Sequence, residues 1–327
     1  MKRSEWLPQR LLLPARASMA TLKARTLDSL VTFEQLYERT RQRLVTRSEP
    51  TLERPVSQLC TQRQCESATF AHWCDRMRMR QRTDFVVDFR CHRKTWEWAY
   101  ILQALAASGV IQPGCRGLGF GVGTEPLTAV LAQAGCEIVA TDMPVADARE
   151  RGWTATDAHT SMHAAELDAL NVLGICARPE FTRLVSYRTM DMTHIDPDLA
   201  GFDFVWSSCA LEHLGSLAAG VAFIENSLRC LKPGGFAVHT TEYNVSSNWR
   251  TLDSGPTVLY RRRDIRALVR QLRGAGHATV LNLTAGRGPS DRIYDIPPYY
   301  QSGRPHLALL LNQFVVTSLG LTIRKAL

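Results

Sequence analysis

The sequence predicts an α/β fold, an αβα sandwich around a mostly parallel seven-stranded sheet whose last strand is antiparallel. Three observations predict it. From Lys94 onward, short strand-like runs alternate with amphipathic helical stretches. A glycine-rich turn at Gly119, Gly121 and Gly123 joins one strand to the next helix. The closing apolar run Phe314–Ile323 is not followed by a helix. Strands that alternate with helices lie parallel, with helices on both faces, and a final strand without a crossover enters antiparallel.

Two regimes divide the chain. Residues 1–93 read as a basic, mainly helical N-terminal extension, with helices near Leu22–Val45 and Ala68–Gln81 and a two-proline connector at Ser48–Pro55. Residues 94–327 read as the main domain. Thr95–Ser108 places Trp96, Tyr100, Leu102 and Leu105 at helical spacing. Gly117–Gly119 ends the first strand, and Thr124–Ala134 is a helix expected to be capped by Thr124. Glu137–Thr141, Leu184–Met190 and Phe202–Ser207 are the next strands, with a helix at Ala158–Leu173 between the first two. Ser216–Leu231 is a helix stopped by Pro233 and Gly234. Strand Phe236–Thr241, helix Arg263–Ala275 and strands Val280–Leu283 and Phe314–Ile323 complete the set.

Composition narrows the class. Hydrophobic residues make up 45% and charged residues 21%, as in globular proteins. No apolar run approaches the roughly 18 residues of a membrane span. The Leu11–Leu13 run is short and interrupted by Pro14 and Arg16, so no secretory signal is read and a cytoplasmic protein is expected. Nine cysteines, an odd number scattered through the elements, fit a reducing compartment. The net charge is +8, and residues 1–90 hold 17 Lys/Arg against 10 Asp/Glu, a difference of +7. Such an arm leaves a nucleic-acid partner open. The alternating Arg76, Arg78, Arg80 and Arg82 lack the interleaved aromatics of a single-strand platform.

The glycine turn is the chemical landmark. Glycines there let a ligand approach the backbone, and the following helix start offers unpaired N–H groups. Asp142 ends the next strand, 23 residues after Gly119, where a carboxylate can accept from both hydroxyls of a ribose. The spacing is G-x-G-x-G followed by Thr124, Glu125 and Pro126, not the G-x-G-x-x-G of a dinucleotide site. An NAD-dependent oxidoreductase is therefore the lesser enzyme reading.

This loop resembles motif I of the class I, Rossmann-like S-adenosylmethionine methyltransferases. Asp191-Met192 resembles the family's adenine corner. Phe202-Asp203-Phe204-Val205-Trp206-Ser207-Ser208 with Leu211-Glu212-His213-Leu214 is similar to its fourth strand and following turn, and Leu231-Lys232-Pro233-Gly234-Gly235 to the turn before its fifth. The acidic residue often found just before the glycines is absent; Gly117-Leu118 stands there. The resemblance implies S-adenosylmethionine as cofactor, held by Gly119, Phe120, Gly121, Gly123, Thr124, Asp142, Met143, Asp191, Met192, Ser207 and Ser208. Trp96, with Glu97 and Tyr100, is placed on a covering helix.

A methyl group on a sulfonium is already activated, so alignment supplies most of the acceleration. A base adds to it when the acceptor carries a proton. His213 after the fourth strand, and Glu242 and Tyr243 at the end of the fifth, are the candidate catalytic residues. His239, inside that strand, reads as a core histidine. No metal is expected, since Cys60, Cys65, His72 and Cys74 match no common zinc spacing. Pro297-Pro298-Tyr299 superficially resembles an element of methyltransferases acting on planar nitrogen, but it falls in a late loop. The expected activity is methyl transfer, by O-methylation, to a small-molecule or glycan-like acceptor. An RNA-directed methyltransferase using the basic arm and a non-catalytic S-adenosylmethionine-binding protein are the alternatives.

Overall fold

The computed structural model describes residues 48–81, 92–144, 167–300 and 304–327. Among these residues the strands are β1 (Ser57–Leu59), β2 (Arg116–Phe120), β3 (Glu137–Asp142), β4 (Val185–Thr189), β5 (Phe202–Ser208), β6 (Leu231–Asn244), β7 (Leu281–Asn282), β8 (Ala308–Leu311) and β9 (Phe314–Arg324). The α-helices are α1 (Gln62–Cys65), α2 (Ala68–Arg76), α3 (Arg93–Ala107), α4 (Leu127–Gln133), α5 (Arg178–Leu184), α6 (Leu217–Arg229) and α7 (Arg262–Gly274).

All nine strands form one sheet in the order β4-β3-β2-β5-β6-β9-β1-β7, with β8 paired to β9. Strands β4 to β6 run parallel, and β9 enters antiparallel beside β6. The chain builds outward from β2 to β3 and β4, then returns to lay β5 on the other side of β2. That reversal opens a crevice past the carboxyl ends of β2 and β5, where such sheets bind ligands.

Helix α3 covers one face near this crevice. The His92 ring caps it by accepting the Lys94 N–H at 3.1 Å, and Gly109, at φ 75°, terminates it. Trp96, Trp98 and Tyr100 are fully buried and cluster with Phe204 and Trp206 of β5. On the other face, Phe223 and Leu228 of α6 and Ile265 and Leu268 of α7 pack with Phe120 and Val205. Gly119 lies beneath an indole: a Cβ there would stand 2.4 Å from the Trp206 ring. Its lack of a side chain serves packing between β2 and β5.

Several elements differ from expectation. The sheet has nine strands among the described residues, where seven were expected. Beyond those seven stand β8, on the apolar run Leu307–Leu311 that reads as core strand, which forms a hairpin with β9 through Asn312 at φ 54°, and β1, which was not expected. β1 lies in the segment expected to be a helical extension, yet it pairs antiparallel with β9 and parallel with β7. The Ala68–Gln81 helix breaks after α2, with Arg78 at φ 53° before a 3-10 turn at Met79–Gln81. α4 begins at Leu127 with Pro126 as its N-cap, so Thr124 does not cap it. Residues 231–235, expected as a turn, belong to β6, whose register slips between Phe202 and Phe204 of β5. The Leu22–Val45 helix and most of Ala158–Leu173 lie outside the described residues, and Leu167–Asn171 is a 3-10 turn. No helix among the described residues is long and apolar enough to cross a membrane.

Candidate active site

The glycine loop is locked by the carboxylate that ends β3. Gly121 and Gly123 take φ 56° and 50°, conformations that side chains disfavour. Asp142 Oδ2 accepts the Gly123 N–H at 3.0 Å, and Oδ1 accepts that of Met143 at 2.9 Å. Met192 closes the loop from the side: a Cβ on Gly121 would lie 3.3 Å from its sulfur and 3.0 Å from Ala210 Cβ. Phe120, the last residue of β2, precedes these glycines with its ring buried against Phe223, away from the expected cofactor contact, and Thr124 follows them on the loop. Asp191 stands after β4, its Oδ1 accepting from the N–H and hydroxyl of Thr193 at 2.8 Å each.

A buried charged cluster adjoins this loop. Arg93 and Lys94 open α3, and Glu97 follows one turn later. Arg93 Nη1 lies 2.6 Å from Glu242 Oε1 and 3.3 Å from Glu97 Oε1. Lys94 Nζ lies 3.0 Å from Glu97 Oε2, which also accepts from Ser208 and Thr240 at 3.4 Å. Ser318 of β9 donates to the other oxygen of Glu97. Glu125, from the loop, and Glu212, after β5, are buried beside them.

Burial disfavours charge on Glu97, but Lys94 and Arg93 outweigh it and hold the carboxyl below its ordinary value. Burial pushes Glu125 up to about 7, against the pull of Lys94. Burial, reinforced by Glu242, pushes Glu212 up to about 8. Glu242 is also raised by burial, with Arg93 opposing. Burial raises the Cys209 thiol too, and Glu212 adds to it.

Of the three expected catalytic residues, only Glu242 joins this cluster. Tyr243 alternates to the other side of β6 and packs in the apolar cluster with Leu211, Val258 and Tyr260. His213 Nδ1 lies 2.8 Å from the Pro256 carbonyl, to which it donates, and the ring stands apart from the cluster. Two expected cofactor contacts also turn inward. Trp96 is fully buried, donates its indole N–H to Gln64 at 2.6 Å and stacks on Tyr100. Ser207 is fully buried with its hydroxyl 2.8 Å from His239 Nδ1, and Ser227 bonds the other ring nitrogen at 3.2 Å. Burial lowers His239 to about 3, so it is a neutral core histidine.

Arg93 and Lys94 were not anticipated as site residues. Their signal was Glu97, a carboxylate in an otherwise apolar helix, with cations three and four residues before it. A second group borders the cluster through His92. Tyr300 Oη is 3.3 Å from His92 Nε2 and 3.3 Å from His306 Nε2, and His306 Nδ1 is 2.9 Å from buried Asp295. The Arg261–Arg263 cluster serves the fold instead, since Arg261 pairs with Asp264 at 2.7 Å to cap α7.

Residues 92–285, more than half of the chain, match the family model described as a methyltransferase domain. The chain belongs to that family. With a glycine loop, an Asp142-locked turn and the switch-point crevice in place, it is an S-adenosylmethionine-dependent methyltransferase. No curated protein matches. Among solved structures, a putative sarcosine dimethylglycine methyltransferase from Galdieria sulphuraria is 14% identical, with a TM-score of 0.43 over 71% of this chain and 84% of that one. Magnesium protoporphyrin IX methyltransferase from Synechocystis PCC 6803, with bound S-adenosylhomocysteine, is 13% identical, with a TM-score of 0.44 over 78% and 95%. The glycopeptide N-methyltransferase MtfA is 13% identical, with a TM-score of 0.40 over 68% and 92%.

The methyltransferase's residues fit its cofactor. The amino-acid end of S-adenosylmethionine carries both an ammonium and a carboxylate. Glu125 holds an oxygen, Oε2, that is buried without a hydrogen-bond partner, and Lys94 stands close enough to influence its charge. These two suit the zwitterion, while Asp142 and the Gly121–Gly123 backbone suit the nucleoside.

Proposed function

We propose that this methyltransferase acts on a hydroxyl of a polar small molecule or glycan-like acceptor. The observation that carries the reading is the wall beside the glycine loop, built from the part-buried pairs Arg93–Glu242 and Lys94–Glu97. Such a wall recognises an acceptor through hydrogen bonds to hydroxyls, and charge-assisted bonds of this kind are the stronger ones. A planar nitrogen acceptor would call for an apolar, aromatic slot, and the Pro297-Pro298-Tyr299 segment is tied instead to β8, with Tyr299 Oη donating to the Leu310 carbonyl at 2.7 Å.

When bound, S-adenosylmethionine supplies a methyl group already activated by the positive sulfur. Asp142 and the loop amides fix the nucleoside, and Glu125 with Lys94 fixes the amino-acid end. Arg93, held by Glu242, orients the acceptor. A hydroxyl sheds its proton as the new C–O bond forms, and Glu212 and Glu242 are the carboxylates placed to assist. Partial burial of the cluster strengthens each of these interactions.

The test is transfer of a labelled methyl group into fractionated small-molecule and glycan extracts, followed by identification of the product. An O-methyl ether supports the reading. A methylated amine, a methylated nucleic acid or the absence of any labelled product in the presence of bound cofactor overturns it.

A further inference from the structure

We propose that Cys209, Glu212 and Glu242 bind one divalent transition-metal cation of the zinc class at the acceptor end of the cleft. Cys209 Sγ and one carboxylate oxygen from each glutamate lie within 4.8 Å of one another. Ligands bonded to zinc at about 2.0–2.3 Å stand closer together than that, so small side-chain rotations close the site.

The two glutamates carry the argument. Each is gripped by one oxygen and presents the other. Arg93 Nη1 lies 2.6 Å from Glu242 Oε1, while Glu242 Oε2 is buried without a hydrogen-bond partner. Thr241 Oγ1 donates to Glu212 Oε2 at 3.1 Å, while Glu212 Oε1 is buried without one. Glu212 is 0% exposed and Glu242 6%. A buried carboxylate oxygen left unmade is costly, and two in one cluster call for an explanation. Outer groups that hold one oxygen and free the other are how proteins orient metal ligands.

Cys209 adds an independent sign. Its φ of 44° is rare for a residue with a side chain, and its N–H is fixed to the Thr240 carbonyl at 3.2 Å and hydroxyl at 3.1 Å. Strained backbone of this kind concentrates at functional sites. The donor set also has room for a cation: four carboxyl groups, Glu97, Glu125, Glu212 and Glu242, share the cluster with two cations, Arg93 and Lys94, so the chain's own cations do not match them one for one. A thiol with two carboxylates suits zinc or cobalt better than magnesium or calcium, which prefer all-oxygen sites. Three protein ligands with a fourth position open is the pattern of catalytic zinc.

Its use rests on the hydroxyl reading above. The cation withdraws charge from the acceptor hydroxyl, taking over the part that Glu212 and Glu242 play without it, and the proton passes to solvent water at the open position. The oxygen lone pair then forms the O–CH3 bond, and the electron pair of the S–CH3 bond returns to sulfur.

The experiment is titration of the chelator-stripped full-length protein with Co2+, followed by displacement with Zn2+. One equivalent should bind, with a near-ultraviolet thiolate-to-cobalt charge-transfer band that zinc abolishes. Cys209→Ser should lose the band. Glu212→Gln should bind at least about tenfold more weakly, and Thr241→Val, which frees the gripped oxygen, about tenfold more weakly. Circular dichroism checks that each variant folds, and the wild-type spectrum alone already tests the thiolate. Absence of uptake by the wild type, or a band that survives Cys209→Ser, overturns the site. A site that behaves as expected in an enzyme whose labelled product is an N-methyl compound upholds the metal and removes only the acceptor reading.

Discussion

The two sides of the cleft are built from different materials. On the β3 side, the glycine loop and its anchor are backbone amides held by one carboxylate, Asp142, all within 23 residues of Gly119. On the β6 side, the wall is made of ionised or ionisable side chains from α3, β5, β6 and the loop before α4. The first is a local structure with one polar side chain at its centre. The second is a network in which each member compensates the burial of another. A substitution on the first side should therefore cost ligand affinity, and one on the second should cost stability as well.

The largest effect concerns the floor shared by both sides. His239 lies between Ser207 of β5 and Ser227 of α6 and is held near about 3 by burial, against 6.5 for an ordinary histidine. The folded chain thus binds fewer protons than the unfolded chain in this interval. The contribution is fully present above about pH 6.5 and is lost as the pH falls toward about 3. At about 1.4 kcal/mol per unit it amounts to something on the order of 4–5 kcal/mol. Urea unfolding of His239→Gln should show a flatter acid slope across that window; a slope equal to that of the wild type would refute the assignment.

Next comes the charged wall. Glu97→Gln leaves the part-buried Lys94 and Arg93 without their shared carboxylate and should destabilise the fold by about 2–3 kcal/mol. Calorimetry or denaturant midpoints measure it, and a loss below about 1 kcal/mol would mean that the wall is not a mutually compensated network. On the loop side, Asp142→Ala should weaken S-adenosylmethionine binding by about 2–3 kcal/mol, the value of charge-assisted hydrogen bonds. Isothermal titration reads it directly, and unchanged affinity would displace the ribose from this carboxylate. The smallest effect is that of Trp96→Phe, which removes the bond to Gln64 and should cost about 1 kcal/mol of stability. Cofactor affinity should stay the same, and a drop of tenfold would return Trp96 to the cofactor's surroundings.

The same contrast explains what was legible in the sequence. The order of strands from β2 to β6 and the antiparallel β9 followed from periodicity, because each element carries its own pattern. The loop glycines and Asp142 were legible for the same reason. The charged wall was not, since Arg93, Glu125, Glu212 and Glu242 meet only after the sheet has assembled. Ser207 and Trp96 illustrate the converse. Each sits at a position near the cleft, yet alternation along β5 and the turn of α3 direct both side chains into the core. β1 is three residues long and too short to carry a periodic signal. Pro126 capped α4 in place of Thr124 because the loop stays irregular through its glycines.

That short strand sets where the folding unit begins. β1 lies between β9 and β7 in the sheet, and the Val56 carbonyl accepts the hydroxyl of Tyr100 at 2.8 Å. A fragment cut at residue 92, where the family match starts, would expose the backbone edge of β9 and take one of the two partners of the buried Tyr100 hydroxyl, leaving it Thr322 at 2.7 Å. Anyone trimming this protein for expression should therefore keep the residues from Ser48 onward, since the catalytic half carries its seam with it.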